Sequence, residues 1–235
     1  MRAVDAEELP RVTGSMLRRA DEMCRRRLAK ELHGARRHAN RAGDARFAVA
    51  NRVTADARLA HAAGGAPRAE AFVPPSDLAP EQQHLYRAAV RGYLAAFGDR
   101  PVRTAELGFS EPLPELGVQL VGDAGLAVEA PDGTKELRLL GLGGRRGGTL
   151  DAVDVNLALV RTRAWAPEGV RLVAVDLLDQ RATVVEPELP GDRERALAWL
   201  AARVERLRAH AAHGGARAGS DCAWCPFVAG CEKHP

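Results

Sequence analysis

Four cysteines carry the densest chemical information in the chain. Cys24 stands near the start. Cys222, Cys225 and Cys231 stand near the end, in the run Cys-Ala-Trp-Cys-Pro-Phe-Val-Ala-Gly-Cys. The spacing is C–x197–C–x2–C–x5–C. Four thiolates complete a tetrahedral zinc site or hold the irons of a cubane cluster. A CxxC pair chelates one centre locally, and the third C-terminal cysteine is close enough to join it. Cys24 must arrive from the far end of the sequence, so a shared centre would tie the termini together. Unrelated thiols, or two disulfides, are the plainer alternative. Residues 1–30 hold no apolar stretch of the kind a secretory signal needs, and no uncharged run is long enough to span a bilayer. The expected location is cytoplasmic, with no membrane partner. There, clustered cysteines more often bind metal than form disulfides. Spacing alone leaves zinc and iron–sulfur open.

The elements that must position these residues follow from periodicity. Thr13 or Ser15 can cap a helix over roughly 16–40. Its apolar stripe runs Met16, Leu17, Ala20, Met23, Cys24, Leu28 and Leu32. Further helices are expected at about 53–63, from Pro80 to Gly98, at about 150–164 and at about 191–212. Strands are expected at 102–110, 117–129, 135–142, 169–177 and 181–186. Pro131-Asp132-Gly133 is a tight turn joining the second and third strands into a hairpin. This order gives a mixed α/β class. Three segments are expected: a mainly helical part at 1–100 with the first cysteine, an α/β core at 101–212, and the cysteine cluster at 213–235.

Composition narrows the partners. Apolar residues make up 46% of the 235 residues and aromatics only 4%, so the core must be built from Ala, Leu and Val. Three lysines leave 31 arginines among the 34 basic residues. A GC-rich genome accounts for scattered arginines of this kind. The net charge of +3 is modest, but residues 10–46 hold 11 basic against 4 acidic side chains, a local surplus of +7. That asymmetry favours an anionic partner such as DNA near the basic segment, with a solvated helix face as the plainer alternative. Candidate backbone contacts are Arg18, Arg19, Arg25, Arg26, Arg36 and Arg37, with Arg145 and Arg146 in the glycine-rich run Gly141–Gly148. That run contains no G-K-[ST], so a strand-to-helix connection is expected rather than a phosphate loop.

One N-terminal cysteine, a hairpin-containing middle and a C-terminal C–x2–C–x5–C resemble the iron–sulfur RecB-like nucleases of the PD-(D/E)XK class. These include AddB-type helicase–nuclease subunits and CRISPR-associated iron–sulfur exonucleases. The resemblance implies a restriction-endonuclease-like core, a mixed sheet flanked by helices. It also implies a 4Fe–4S cluster, rather than zinc, on Cys24, Cys222, Cys225 and Cys231, stapling the termini together.

The same resemblance locates catalytic positions and finds most of them empty. The family pattern is G-x-x-D on one strand, D/E-x-K on the next, and Q-x-x-x-Y on a helix. Here Gly122 matches, and the acid falls on Gly125. The second acid falls on Leu139 and the lysine on Gly141. The helix positions fall on Asn156 and Val160. Glu106 matches an upstream acidic strand position, and His61 or His33 matches the family's helix histidine. Metal-dependent hydrolysis needs carboxylates for Mg²⁺ and a lysine for the water, which Leu and Gly cannot supply.

A shifted site using Asp123 and Glu136-x-Arg138 fails on hairpin geometry. A turn centred on Asp132 sets Gly125 opposite Leu139 and Asp123 opposite Gly141. Glu136 has the opposite parity and lies roughly 17 Å along the strand from the position facing Asp123. Arg138 also stays protonated and cannot activate water. Glu129 and Lys135 are expected to pair at the turn end.

The reading is a catalytically degenerate iron–sulfur nuclease fold that binds DNA or docks a protein partner in repair, recombination or phage defence. Two alternatives stand beside it. One is a divergent single-strand exonuclease using Mg²⁺ or Mn²⁺ with Glu106, Asp123 and His61 as residual candidates. The other is a redox-responsive DNA-binding regulator.

Overall fold

The alternation of β-branched and leucine residues with small ones produces a two-faced sheet, and helices close both faces. The computed structural model describes residues 9–19, 24–32, 45–61, 65–107, 110–121, 125–142, 150–179, 181–185 and 191–212, together with Cys225 and Cys231. The described helices are α1 (Gly14–Arg19), α2 (Arg25–Leu32), α3 (Ala45–His61), α4 (Pro80–Phe97), α5 (Ala152–Arg161) and α6 (Gly191–Ala212). The described strands are β1 (Arg11–Val12), β2 (Thr104–Leu107), β3 (Ser110–Leu113), β4 (Val118–Val121), β5 (Gly125–Glu129), β6 (Lys135–Gly141), β7 (Arg171–Asp176) and β8 (Arg181–Val185). The class is mixed α/β.

The chain divides into two compact units, each assembled from separate stretches. One comprises Met1–Arg41, Ser110–Gly122 and Glu194–Pro235. The other comprises Ala42–Phe109 and Asp123–Arg193.

The second unit holds a five-stranded sheet in the order β2-β5-β6-β7-β8. Its pairs are antiparallel except β6 with β7, which run parallel. A parallel pair needs a crossover, and α5 lies in that connection. On one face, Leu126, Val128, Val173 and Val175 pack with Val49, Val53 and Ala57 of α3 and with Ala89, Tyr93 and Phe97 of α4. On the other, Ala127, Leu137 and Leu172 pack with Ala158 of α5 and with Ala166 and Val170. Period-two alternation along β5, β6 and β7 sorts the side chains in this way.

Local chemistry fixes the ends of these elements. Pro80 opens α4, and Gln82 Oε1 accepts the Ala79 N–H at 3.2 Å. Asp151 caps α5 by accepting the Asp154 N–H at 2.9 Å. In the β5–β6 turn, Asp132 Oδ1 accepts the Thr134 N–H at 2.9 Å, and Gly133 takes a φ of +86°.

The first unit holds a three-stranded sheet, β1-β4-β3. Its buried apolar side chains include Val12, Met16, Leu17 and Leu28, with Ala196, Leu200, Val204 and Leu207 of α6. Arg208 of α6 donates to the Leu116 carbonyl at 2.6 Å and to the Gly117 carbonyl at 3.2 Å. Gly117, at φ +59°, turns the chain into β4.

Three sequence expectations change. The expected helix over 16–40 is described as α1 and α2, with Thr13 Oγ1 accepting the Met16 N–H at 3.3 Å. Cys24 is not inside a helix: its carbonyl accepts the Leu28 N–H at 2.9 Å, which makes it the N-cap of α2. The apolar stripe bridges the break because spacings of three and four persist across it.

The expected strand over 102–110 divides into β2 and β3, and that over 117–129 into β4 and β5, in different sheets. Alternation reports a buried face but not which sheet buries it. Gly108 and Gly122 bracket the excursion in the sequence. The expected Glu129–Lys135 bridge is replaced. The two face each other in register, but Glu129 pairs with Arg103 at 3.6 Å, and the Lys135 ammonium donates to the Trp165 carbonyl.

Gly92 permits a close approach of α4 to the turn after β7, since a Cβ there would lie 1.8 Å from the Leu177 carbonyl oxygen. Gly92→Ala should therefore cost about 1–3 kcal/mol or more, read from urea unfolding midpoints. Gly141→Ala, whose Cβ would meet its nearest atom at 3.8 Å, serves as the near-neutral control.

Candidate functional site

The β5–β6 hairpin carries the positions at which the nuclease resemblance expects carboxylates. Its register sets Gly125 opposite Leu139, as the turn predicts. A Cβ on Gly125 would lie 2.9 Å from Leu137 Cδ1 and 3.3 Å from Leu139 Cδ2. Leucine methyl groups thus occupy the space in front of the strand. An aspartate at 125 would have to displace them, and no carboxylate faces it across the pair. On α5, Asn156 Nδ2 donates to the Ala152 carbonyl at 2.7 Å, and Val160 is buried. Glu106 lies on β2 opposite Ala127. Asp123, His33 and the Gly143–Gly148 run, with Arg145 and Arg146, lie outside the described residues.

One carboxylate near this edge escaped the sequence reading. Asp176 ends β7, sits opposite Gly141 in the parallel register and is 1% exposed. Its Oδ1 accepts the backbone N–H groups of Leu178 at 3.0 Å and Asp179 at 3.4 Å. That bonding closes the turn after β7, a structural task. The available signal was an acid ending an otherwise apolar strand run, Leu-Val-Ala-Val-Asp.

The opposite face of β6 is charged and buried. Glu136 and Arg138 are 6% and 2% exposed, and Arg138 Nε donates to Glu136 Oε1 at 2.6 Å. Arg138 Nη1 donates to the Tyr93 hydroxyl at 3.1 Å, and the guanidinium lies 3.9 Å from the Phe97 ring centroid. Tyr93 in turn reaches His61 Nε2 at 2.9 Å, and His61 Nδ1 reaches the Gly65 carbonyl at 3.2 Å.

Donor roles follow. The Gly65 carbonyl can only accept, so Nδ1 carries the proton of a neutral imidazole. Nε2 then accepts from the Tyr93 hydroxyl, which accepts from Arg138. His61 is therefore a satisfied core histidine on the face away from Leu137. Its partners Tyr93 and Arg138 lie far from it in the sequence. Their only sequence signal was the parity of β6, which sends Glu136 and Arg138 to one face together. A second buried pair supports the same layer: Tyr86 donates to Asp56 at 2.5 Å, and burial followed by that bond pushes the Tyr86 pKa up.

The cysteines and the N-terminal candidate arginines belong to the other unit. Cys24, Cys225 and Cys231 are half-buried, and Cys222 lies outside the described residues. Among the described residues no three His, Cys, Asp or Glu side chains are gathered as metal ligands. Arg25 is exposed in the first turn of α2, and Arg26 is half-buried beside it. Arg18 is half-buried on α1. Arg19 ends α1, its side chain not described, and Arg36 and Arg37 lie outside the described residues. Among the described residues no helix is long and apolar enough to cross a membrane.

No family model matches the chain, and no curated protein matches it. Among solved structures, one described as "Crystal structure of SSO0001" is similar at 13% identity. It covers 99% of this chain and 90% of its own with a TM-score of 0.37, an overlap that carries no argument about fold or function.

Burial, and next the nearby Arg138 charge, hold the His61 pKa below its usual value against the Gly65 hydrogen bond. The unfolded chain, with a histidine pKa of about 6.5, then binds the proton more readily. The stabilising contribution should be fully present above that value and decline as pH falls toward the lower folded pKa. Urea midpoints measured at stepped pH check this. His61→Gln should flatten the decline in that window at a cost in overall stability.

Proposed function

We propose that this protein is a catalytically degenerate RecB-like nuclease fold. In this reading it keeps a 4Fe–4S staple and binds DNA, or docks as a partner subunit in DNA repair, recombination or phage defence. The observation that carries the reading is the Gly125–Leu139 pair. Where two metal-binding carboxylates are needed, the strands offer a glycine and a leucine under a cover of methyl groups. A mixed sheet with helices on both faces supports the restriction-endonuclease-like core.

The cysteine set fits an iron–sulfur centre in two respects. Cys24, Cys225 and Cys231 fall in one compact unit although they come from opposite ends of the chain. Cys24 also caps α2, whose first turn carries Arg25, Arg26 and Arg27. Three cations at a helix N-terminus run against its dipole, and an anionic thiolate centre offsets them. Cys24, Cys222, Cys225 and Cys231 would be the ligands, and the group would serve as a cross-link between the termini. The basic surface of α1 and α2 then supplies phosphate contacts without base readout.

A divergent exonuclease is the second reading, and Asp176 beside Gly141 is the observation that favours it. One carboxylate already bonded to two backbone N–H groups is a poor metal ligand set.

The test is cleavage. Single- and double-stranded DNA should remain intact with Mg²⁺ and with Mn²⁺, which tolerates imperfect carboxylate sites better. Cleavage lost in Asp176→Asn or Asp123→Ala, in protein that keeps its metal, would make the chain a nuclease. DNA affinity should fall steeply with salt, with little sequence preference, and should weaken further in the Arg25→Glu/Arg26→Glu variant. No binding at low salt would leave a protein partner as the role. Cys24→Ala should lower thermal stability as much as Cys225→Ala, since each removes one ligand of the same staple.

A further inference from the structure

A cavity of about 390 Å³ opens at the turn end of the β5–β6 hairpin, on the face away from Leu137 and Leu139. Its volume lies at the small end of the ligand-pocket range, about 300–1,000 Å³. Glu136 and Arg138, both more than nine-tenths buried, form part of its wall. Charged groups of this kind are costly to bury and are normally fully bonded. Here each retains capacity. Arg138 donates through Nε to Glu136 and through Nη1 to Tyr93, while Glu136 accepts through Oε1. Among the described residues Arg138 Nη2 and Glu136 Oε2 have no partner, yet neither is sealed from solvent. Both residues line the cavity.

The mouth repeats the arrangement. Asp99 and Arg100, adjacent and exposed after α4, contribute a second carboxylate and guanidinium. Asp132 and Arg171 add a third pair of opposite charges. The lining is formally neutral, with three carboxylates and three guanidinium groups. Such a surface repels a bare polyanion as much as it attracts it. Its complement is a small molecule with both charges set a few ångströms apart.

We propose that this cavity binds a small zwitterion bearing a carboxylate and an ammonium group, the chemistry of a free α-amino acid. The carboxylate accepts from Arg138 Nη2 and the Arg100 guanidinium, and the ammonium donates to Glu136 Oε2 and the Asp99 carboxylate. Val128 and Pro131 supply the apolar wall for the remainder of the ligand. The site lies on the face opposite the Gly125–Leu139 pair and does not rest on the nuclease reading.

Thermal unfolding of the full-length protein with a panel of free α-amino acids tests the proposal. Acetate, methylammonium and inorganic phosphate serve as single-charge or polyanion comparisons. At least one amino acid should raise Tm by about 3 °C at about tenfold excess over its Kd, and the comparisons should not. Glu136→Gln should abolish the shift. Because that variant disturbs a buried pair, the rim variant Asp99→Asn/Arg100→Gln gives an independent arm. It leaves Glu136 and Arg138 in place and should also lose most of the shift. A flat response to every amino acid overturns the proposal. So does a phosphate or acetate shift as large as any amino-acid shift, which makes the cavity a simple anion site. A shift that persists in both variants places the ligand elsewhere and overturns it as well.

Discussion

The Arg138 guanidinium is the constraint on which the larger unit is organised. It is 2% exposed, lies against Phe97 and is held by Glu136 and Tyr93. A buried cation is tolerated only when its surroundings are fixed. Tyr93 and Phe97 fix α4 against the sheet through it, and His61 fixes the end of α3 through Tyr93. Removing Glu136 alone would leave an uncompensated buried charge, at a cost of about 3–5 kcal/mol. Replacing both partners by apolar residues of similar volume would cost much less. The pair therefore specifies one packing of α3 and α4 more than it stabilises that packing.

The same parity that buries Arg138 sets leucines in front of Gly125 on the other face. Leu137 and Leu139 alternate with Glu136 and Arg138 along β6, so Glu136 and Arg138 are directed away from Gly125, while Lys135, on the Gly125 face, is bonded to the Trp165 carbonyl. A one-residue slip would reverse the arrangement, sending Glu136 and Arg138 toward α5 and two leucines into the polar layer. The hairpin turn prevents it: Asp132 and Gly133 fix the loop, and the register follows. Catalytic degeneracy in this reading is more than a list of missing residues. Leucine methyl groups fill the space in front of Gly125, and an aspartate placed there would still have to displace them.

Much of this was legible in the sequence where local signals are strong. Pro131-Asp132-Gly133 gave the turn, the turn gave the Gly125–Leu139 register, and Pro80 and Gly98 gave the ends of α4. The span of α6 over 191–212 follows from its apolar spacing. Long-range information was absent. Apolar alternation could not tell that β3 and β4 leave the larger sheet to join β1, because both sheets offer the same kind of buried face. The helix break at Cys24 was hidden by a stripe that continues in phase on both sides. The bonding of His61 to Tyr93, 32 positions away, has no local signature at all. A buried histidine and a ligand histidine look alike until their partners are known.

Metal identity tests the proposed iron–sulfur staple on a non-cleaving nuclease fold most directly. X-ray absorption on anaerobically purified protein should show iron with an all-sulfur first shell, at roughly four irons per chain. A zinc edge at one metal per chain, or a metal-free protein that folds and retains its stability, would contradict the account.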